Sequence, residues 1–306
     1  MNDIHFEFEI DGKQIPCALT EASGNRSDWC VVLVPGSGPS DIDGNFAEGG
    51  MWPGRTNVLR DLAHQIAEAG VPCLRYSRAN MTTTDEAKAA AFKRFDHRAK
   101  VVAGLCAVAS ERSGARSIAI AGHSEGSVVG SMVCVLHPEA NVTAYISLSG
   151  PAYRFYDLML LGADRRAVNG VMQLGPMKMS LELYRKAVEV ARYGTPPPEE
   201  LNSLPFGFHK MDPDSQEYLR GYDAVDNREM IGKIPTPVLI VQGGADESGV
   251  WFENGELLVD CRRASALPTQ QAFFSDLDHF YKRPGHESVD PRVATAIVDW
   301  LKVCRS

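Results

Sequence analysis

Apolar and polar residues alternate through Ile4, Phe6, Phe8 and Ile10, the period of a strand that turns one face inward. The Asp11-Gly12 pair that follows is a hairpin turn, and a second strand over residues 14–19 completes an antiparallel pair. From residue 29 the pattern changes to "WCVVLVPGSG", an unbroken apolar run ended by Gly and Pro, as expected of a strand covered on both faces. Residues 55–69 carry Val58, Leu62, Ile66 and Ala69 at helical spacing, "VPCLRYS" is the next strand, and a longer helical segment covers residues 85–112. A strand over 118–122, a helix from Ser124 to His137 that stops before Pro138, and the strand "AYISLSG" follow. Near the carboxyl end come "PTPVLIVQGG", a helix over 253–264, the strand "QAFFS" and a last helix over 289–304.

Strands alternating with helices predict an α/β fold with a mostly parallel, doubly wound sheet, preceded here by the antiparallel hairpin. Sites in such sheets lie at the carboxyl ends of strands. Between residues 151 and 230 the pattern shifts to Met-rich and Tyr-rich amphipathic helices, interrupted by "YGTPPPEE" and "LPFGFH". That stretch reads as an inserted helical cap or lid, with residues 1–150 and 231–306 forming the core. Helical spacing assigns Met172, Met177, Met179, Leu181, Leu183, Tyr184, Phe155, Tyr156, Phe206 and Phe208 mainly to packing, some of them to an apolar pocket.

At 306 residues the chain can bury one large core, and 44% apolar with 23% charged residues is the balance of an ordinary globular protein. A net charge of -8 and a pI near 5.5 exclude the basic footprint that nucleic-acid phosphates require. No apolar stretch is long enough to span a bilayer and the opening residues are not a signal peptide, so a cytoplasmic location and no membrane partner are expected. The seven cysteines lack a Cys-x-x-Cys pair and sit mostly in apolar runs, which predicts buried, reduced thiols. No His-x-x-x-His or Cys/His cluster suggests a metal, and none is expected. A homodimer is left open.

The chemistry is concentrated in "IAIAGHSEGSVVG". Gly122-His123-Ser124-Glu125-Gly126 fits G-x-S-x-G between a strand and a helix, the nucleophile elbow. Glycines two residues to either side of Ser124 remove side chains that a turn this tight could not accommodate. The serine then stands at a helix N-terminus, where free N–H groups favour negative charge. A serine hydroxyl needs a base, and that base needs a carboxylate to orient it and to stabilise the imidazolium. With this motif the partners follow in the order acid, then histidine.

Asp246 ends the strand "VLIVQGGA" and is the expected acid, with Glu247 the neighbour most easily confused with it. Only His279 and His286 come later; His279 lies just beyond the last strand and is the expected base. His123 is expected to point away from the serine oxygen as a packed, hydrogen-bonded residue. The N–H groups of Glu125 and of Ser37, with Gly38 as the alternative, would form the oxyanion hole. The Glu125 carboxylate is a candidate loop anchor. Trp52 and Trp251 are candidate pocket walls, together with Gly38.

Taken together these residues resemble the α/β-hydrolase superfamily over essentially the whole chain. More narrowly, "GSGPSDIDGN" with "GHSEGS" is similar to bacterial carboxylesterases grouped with serine aminopeptidase-like hydrolases. The resemblance implies Ser124 as nucleophile, His279 as general base, Asp246 as its orienting acid, Ser37 and Glu125 as oxyanion donors, a helical cap, and no cofactor. Two positions depart from the subgroup: Ser127 replaces a second glycine, and "RYSRANM" replaces an Arg-Tyr-Asp-Lys-Arg-Gly stretch. The expected activity is hydrolysis of a small to medium apolar carboxylic ester through an acyl-serine. Amide, thioester, lactone or carbon–carbon cleavage by the same triad is the alternative, and a non-catalytic ligand receptor on the same scaffold is a further one.

Overall fold

The computed structural model describes residues 1–24, 27–46, 55–78, 94–174, 177–202, 204, 207–247 and 250–304. Eight strands form one sheet: β1 (Asp3–Ile10), β2 (Lys13–Thr20), β3 (Trp29–Val34), β4 (Cys73–Tyr76), β5 (Ser117–His123), β6 (Val142–Leu148), β9 (Val238–Gly243) and β10 (Thr269–Phe274). Their order is β1-β2-β4-β3-β5-β6-β9-β10. β1 and β2 pair antiparallel, β2 meets β4 antiparallel, and every pair from β4 onward is parallel. Asp11 and Gly12 take φ of 49° and 73°, the two positive values that a tight hairpin turn demands.

The continuous apolar runs are explained by cover on both faces. Val32, Val34, Ile120, Tyr145 and Ile240 point to one face, beneath α2 (Phe95–Ser113), α3 (Glu125–Leu136) and α9 (Phe252–Ala264). Val31, Leu33, Ala119, Ala121, Ile146 and Val241 point to the other, beneath α1 (Val58–Glu68) and α10 (Pro291–Val303). Alternate residues of the same strand thus enter separate cores, so no position has a reason to be polar. Of the helix expected over 85–112, α2 supplies the part from Phe95; residues 79–93 lie outside the described residues.

Between β6 and β9 the chain forms α4 (Phe155–Arg166), β7 (Val171–Leu174), β8 (Met177–Ser180), α5 (Leu181–Tyr193), α6 (Glu199–Asn202), α7 (Pro213–Asp223) and α8 (Asn227–Lys233). The expectation of helices throughout is corrected by the β7-β8 hairpin, in which Met172 opposes Met179 and both are buried. "MKMS" alternates with a period of two, and Asn169 and Gly170, at φ of 51° and 73°, make the tight turn between Val168 and Val171 that leads into β7. The boundary expected at 230 falls inside α8. That helix is tied to the core by Asn227, which accepts from Ser131 Oγ at 2.7 Å and donates to the Pro151 carbonyl at 2.7 Å.

Arg75, buried in β4, joins the hairpin to the rest of the sheet. Its guanidinium donates to both carboxylate oxygens of Asp3 at 3.0 and 2.7 Å, to Thr20 Oγ1 at 2.6 Å and to Asp43 at 3.3 Å. Burial alone would raise the Asp3 pKa, but Arg75, Thr20 and His64 hold its carboxyl well below the usual range. An acid depressed in the folded state contributes stability above its unfolded value of about 4, and that contribution is lost as the pH falls further. Urea unfolding should therefore show wild-type stability falling below about pH 4, with a shallower fall in Asp3→Asn; equal slopes would contradict this account.

Candidate active site

Ser124 sits between β5 and α3 at φ 54° and ψ -124°, a conformation that a non-glycine residue adopts only when its surroundings enforce it. The enforcement is close backbone packing. A Cβ on Gly122 would lie 2.3 Å from the Gly126 carbonyl oxygen, and one on Gly126 would lie 2.4 Å from the Val34 oxygen and 2.6 Å from that of Pro35. Ser124 N–H donates to the Leu148 carbonyl at 2.8 Å, which fixes the turn on β6. Glu125 opens α3, so its N–H is one of those the helix itself leaves without an acceptor. Ser127, the departure from the expected second glycine, is fully buried, and its hydroxyl occupies space that any side chain at Gly150 would fill: a Cβ there would lie 2.3 Å from Ser127 Oγ.

The other two expected residues meet each other. Asp246 follows β9, His279 follows β10, and His279 Nδ1 lies 2.6 Å from Asp246 Oδ2, with both side chains buried. A carboxylate only accepts, so Nδ1 carries the proton and Nε2 is left as the basic nitrogen. Gly243 and Gly244 allow the two loops to converge, since a Cβ on either would lie within 2.6 Å of the backbone of residues 275–278. Glu247 and His286, the competing choices, are exposed.

Two further residues hold the histidine loop: Tyr281, which no sequence signal marks, and His123. Tyr281, fully buried at φ 59°, donates to the Val241 carbonyl at 3.2 Å and accepts from Ser149 Oγ at 3.0 Å, tying the loop to the ends of β9 and β6. His123, adjacent to the serine, is packed and hydrogen-bonded as expected. Its Nε2 lies 2.8 Å from the His279 carbonyl oxygen and its ring 4.8 Å from the His279 ring, so the His123 side chain fastens the backbone at 279 beside the elbow. The carbonyl accepts, which places the His123 proton on Nε2.

The loop after β3 is the third part. Gly36 lies against the serine, where a Cβ would be 3.1 Å from Ser124 Cβ, and Ser37 beside it is exposed. Gly38 takes φ 79° and faces the Phe46 ring. The remainder of "GSGPSDIDGN" explains its own composition. Asp41 Oδ1 accepts from the N–H groups of Asp43 and Asn45 at 2.9 and 2.8 Å, and the Asn45 side chain pairs with Asn57 at the start of α1 at 3.0 and 2.9 Å.

Below this loop lies a buried polar cluster. The Glu125 carboxylate accepts from Arg98, from Arg78 at 3.4 Å and from the Tyr218 hydroxyl at 2.5 Å. Burial would raise its pKa, but Arg98 and Arg78, with Tyr218 and Ser37, hold it below the usual range. Arg98 also donates to the Pro35 carbonyl at 2.7 Å and Arg78 to the Gly36 carbonyl at 2.5 Å. The carboxylate therefore anchors a loop. Arg78 comes from "RYSRANM", the other departure, and Tyr218 from α7 of the inserted segment.

Trp52 lies outside the described residues. The Trp251 ring packs against Gly162, where a Cβ would be 3.2 Å away, and beneath the Arg165 guanidinium at 4.3 Å, so its observed contacts are with α4. Phe155, Tyr156 and Phe208 stack edge to face on one another at 5.0 to 5.8 Å, as expected of packing residues. Among the described residues no three His, Cys, Asp or Glu side chains gather at metal-binding spacing, and no helix is long and apolar enough to cross a membrane.

Among solved structures, Est1E from Butyrivibrio proteoclasticus matches with a TM-score of 0.58 and 13% identity over 98% of both chains. A thermostable carboxyl esterase from Bacillus coagulans matches with a TM-score of 0.60 and 13% identity over 99% of both. The fold is that of the α/β hydrolases. Porphyromonas gingivalis dipeptidyl peptidase 4 has this α/β-hydrolase fold within a longer chain, with a TM-score of 0.57 and 12% identity over 98% of the present chain and 35% of its own. No protein-family model matches the sequence, and no curated protein matches it.

Burial, together with the neighbouring His279, pushes the His123 pKa down to about 3. Between that value and the unfolded value of about 6.5, the unfolded chain binds a proton that the folded chain refuses, so stability falls as the pH is lowered through this window. We expect the unfolding free energy to drop from pH 7 to pH 5 with a slope that is smaller by about one proton in His123→Asn. Urea titrations at the two pH values measure it, and an unchanged slope would mean that residue 123 is not the group refused.

Proposed function

We propose that the chain is a serine hydrolase that cleaves a carboxylic ester of a small to medium apolar substrate through an acyl-serine. The observation that carries this reading is the buried 2.6 Å contact of His279 with Asp246, on a loop fastened through His123 to the residue beside a strained Ser124. Asp246 orients the His279 ring and stabilises its charged form; His279 Nε2 takes the Ser124 proton as Oγ attacks the ester carbonyl. The resulting oxyanion is received by the N–H groups of Glu125 and Ser37. His279 returns the proton to the departing alcohol, then activates the water that releases the acid and regenerates Ser124.

The inserted segment is read as the cap, with residues 1–150 and 231–306 as the core beneath it, and Trp251 and Gly38 as candidate walls of the pocket. The carboxyl esterase description of the Bacillus coagulans protein favours ester chemistry. The peptidase description of the Porphyromonas gingivalis protein keeps amide cleavage as the second reading. The chemistry draws on side chains and main-chain amides alone, so no cofactor is proposed.

Purified enzyme should be labelled covalently by a fluorophosphonate at Ser124 and should turn over p-nitrophenyl esters. Ser124→Ala should lose labelling and lower turnover by roughly 10³ or more, and Asp246→Asn by about 10⁴. A panel of esters, amides, thioesters and lactones should give its highest kcat/KM with an ester. Retained hydrolysis in Ser124→Ala would sink the assignment, and failure of the wild type to be labelled would favour the receptor.

A further inference from the structure

The cluster of Arg78, Arg98, Glu125 and Tyr218 takes no part in the proton transfers, yet it holds the two carbonyls of the loop that faces Ser124. Its geometry sets a direction. The peptide between Gly36 and Ser37 is trans and planar, so its carbonyl and its N–H point opposite ways. With the Gly36 carbonyl bound to Arg78 at 2.5 Å, the Ser37 N–H must point away from that guanidinium. Arg98 turns the preceding peptide in the same manner through the Pro35 carbonyl at 2.7 Å. Both guanidiniums are held by one carboxylate, that of Glu125, whose own N–H is the second oxyanion donor.

Tyr218 completes the arrangement from outside the core. Its hydroxyl lies 2.5 Å from Glu125 Oε1 and 3.1 and 3.3 Å from Arg78 and Arg98, and the Phe95 ring of α2 packs against its ring at 5.5 Å. The hydroxyl donates to the carboxylate and accepts from the two guanidiniums, so one group of the inserted segment meets charges of both signs.

We propose that Arg78 and Tyr218 are positioning residues that aim the Ser37 amide at the oxyanion, linking the inserted segment to the rate of the chemical step. The inference rests on the serine-hydrolase reading above. A misaimed amide weakens binding of the tetrahedral state and leaves binding of the planar ester nearly unchanged, so kcat falls and KM does not. Packing damage alone would disturb both.

The test uses the full chain, a p-nitrophenyl ester, and a matched pair of inhibitors. One is a trifluoromethyl ketone, to whose carbonyl carbon Ser124 Oγ adds while its proton passes to His279, leaving an oxyanion. The other is the corresponding alcohol, which cannot form one. Arg78→Met should lower kcat by about tenfold or more, short of the 10²–10³ that follows loss of an oxyanion donor. Tyr218→Phe should lower it about threefold, an aiming error smaller than loss of a donor.

In each variant the ketone should weaken by the same factor as kcat, with KM and the affinity for the alcohol within about twofold of wild type. Arg78→Lys should recover part of the rate, since an ammonium supplies one donor without the planar fork. Ketone affinity that stays at the wild-type level, or alcohol affinity and KM that shift together with kcat, would overturn the proposal. If Arg78→Met does not fold, as judged by near-ultraviolet circular dichroism, Tyr218→Phe decides by the same criteria. The underlying reading fails separately, when the wild type neither turns over the ester nor binds the ketone more tightly than the alcohol.

Discussion

The site depends on one constraint of space: at the carboxyl edge of the sheet, three backbone segments approach so closely that no side chain fits between them. Gly122 and Gly126 close the elbow on itself, and Gly126 rests on the carbonyls of Val34 and Pro35. This contact sets the loop after β3 beside the serine before any side-chain chemistry is considered. It also forces Ser124 to positive φ, a cost that the parallel ladder on both sides of β5 must offset. Gly243 and Gly244 repeat the device two strands away, where they let the turn bearing His279 fold over the end of β9. Conformational freedom, size and the geometry of the candidate site therefore depend on the same few glycines.

Much of this was legible along the chain because its signals are local. A strand covered on both faces declares itself by an unbroken apolar run, and the elbow by glycines at fixed offsets from a serine. Asp246 and His279 stand out because they lie just beyond strands with clear apolar runs, a position that restricts them to one edge of the sheet. What the chain does not announce locally depends on contacts between distant residues. Arg78, Arg98 and Tyr218 come from three elements as much as 140 residues apart, and nothing around each one marks it as a partner of Glu125. The one local hint is Glu125 itself, an acid at the head of a helix packed on the sheet, which must find a cation once buried.

The inserted segment shows the opposite error. Its methionines and tyrosines satisfy a helical period well enough to hide a four-residue alternation, and the hairpin is revealed by the pairing of β7 with β8. Short strands give the shortest patterns and so lose to a neighbouring helix signal. Tyr281 was missed for a related reason: its value lies in a hydroxyl that reaches the ends of two other strands, which no spacing in "FFSDLDHFYKRPG" could announce.

Ser127 and Gly150 occupy what is in effect a single volume shared by two positions 23 apart in sequence. Ser147 Oγ fills the same space, since a Cβ at 150 would lie 2.3 Å from it as well as from Ser127 Oγ. Even a methyl group at 150 would thus ask two buried hydroxyls to move together, so positions 127, 147 and 150 form one packing unit beneath the elbow.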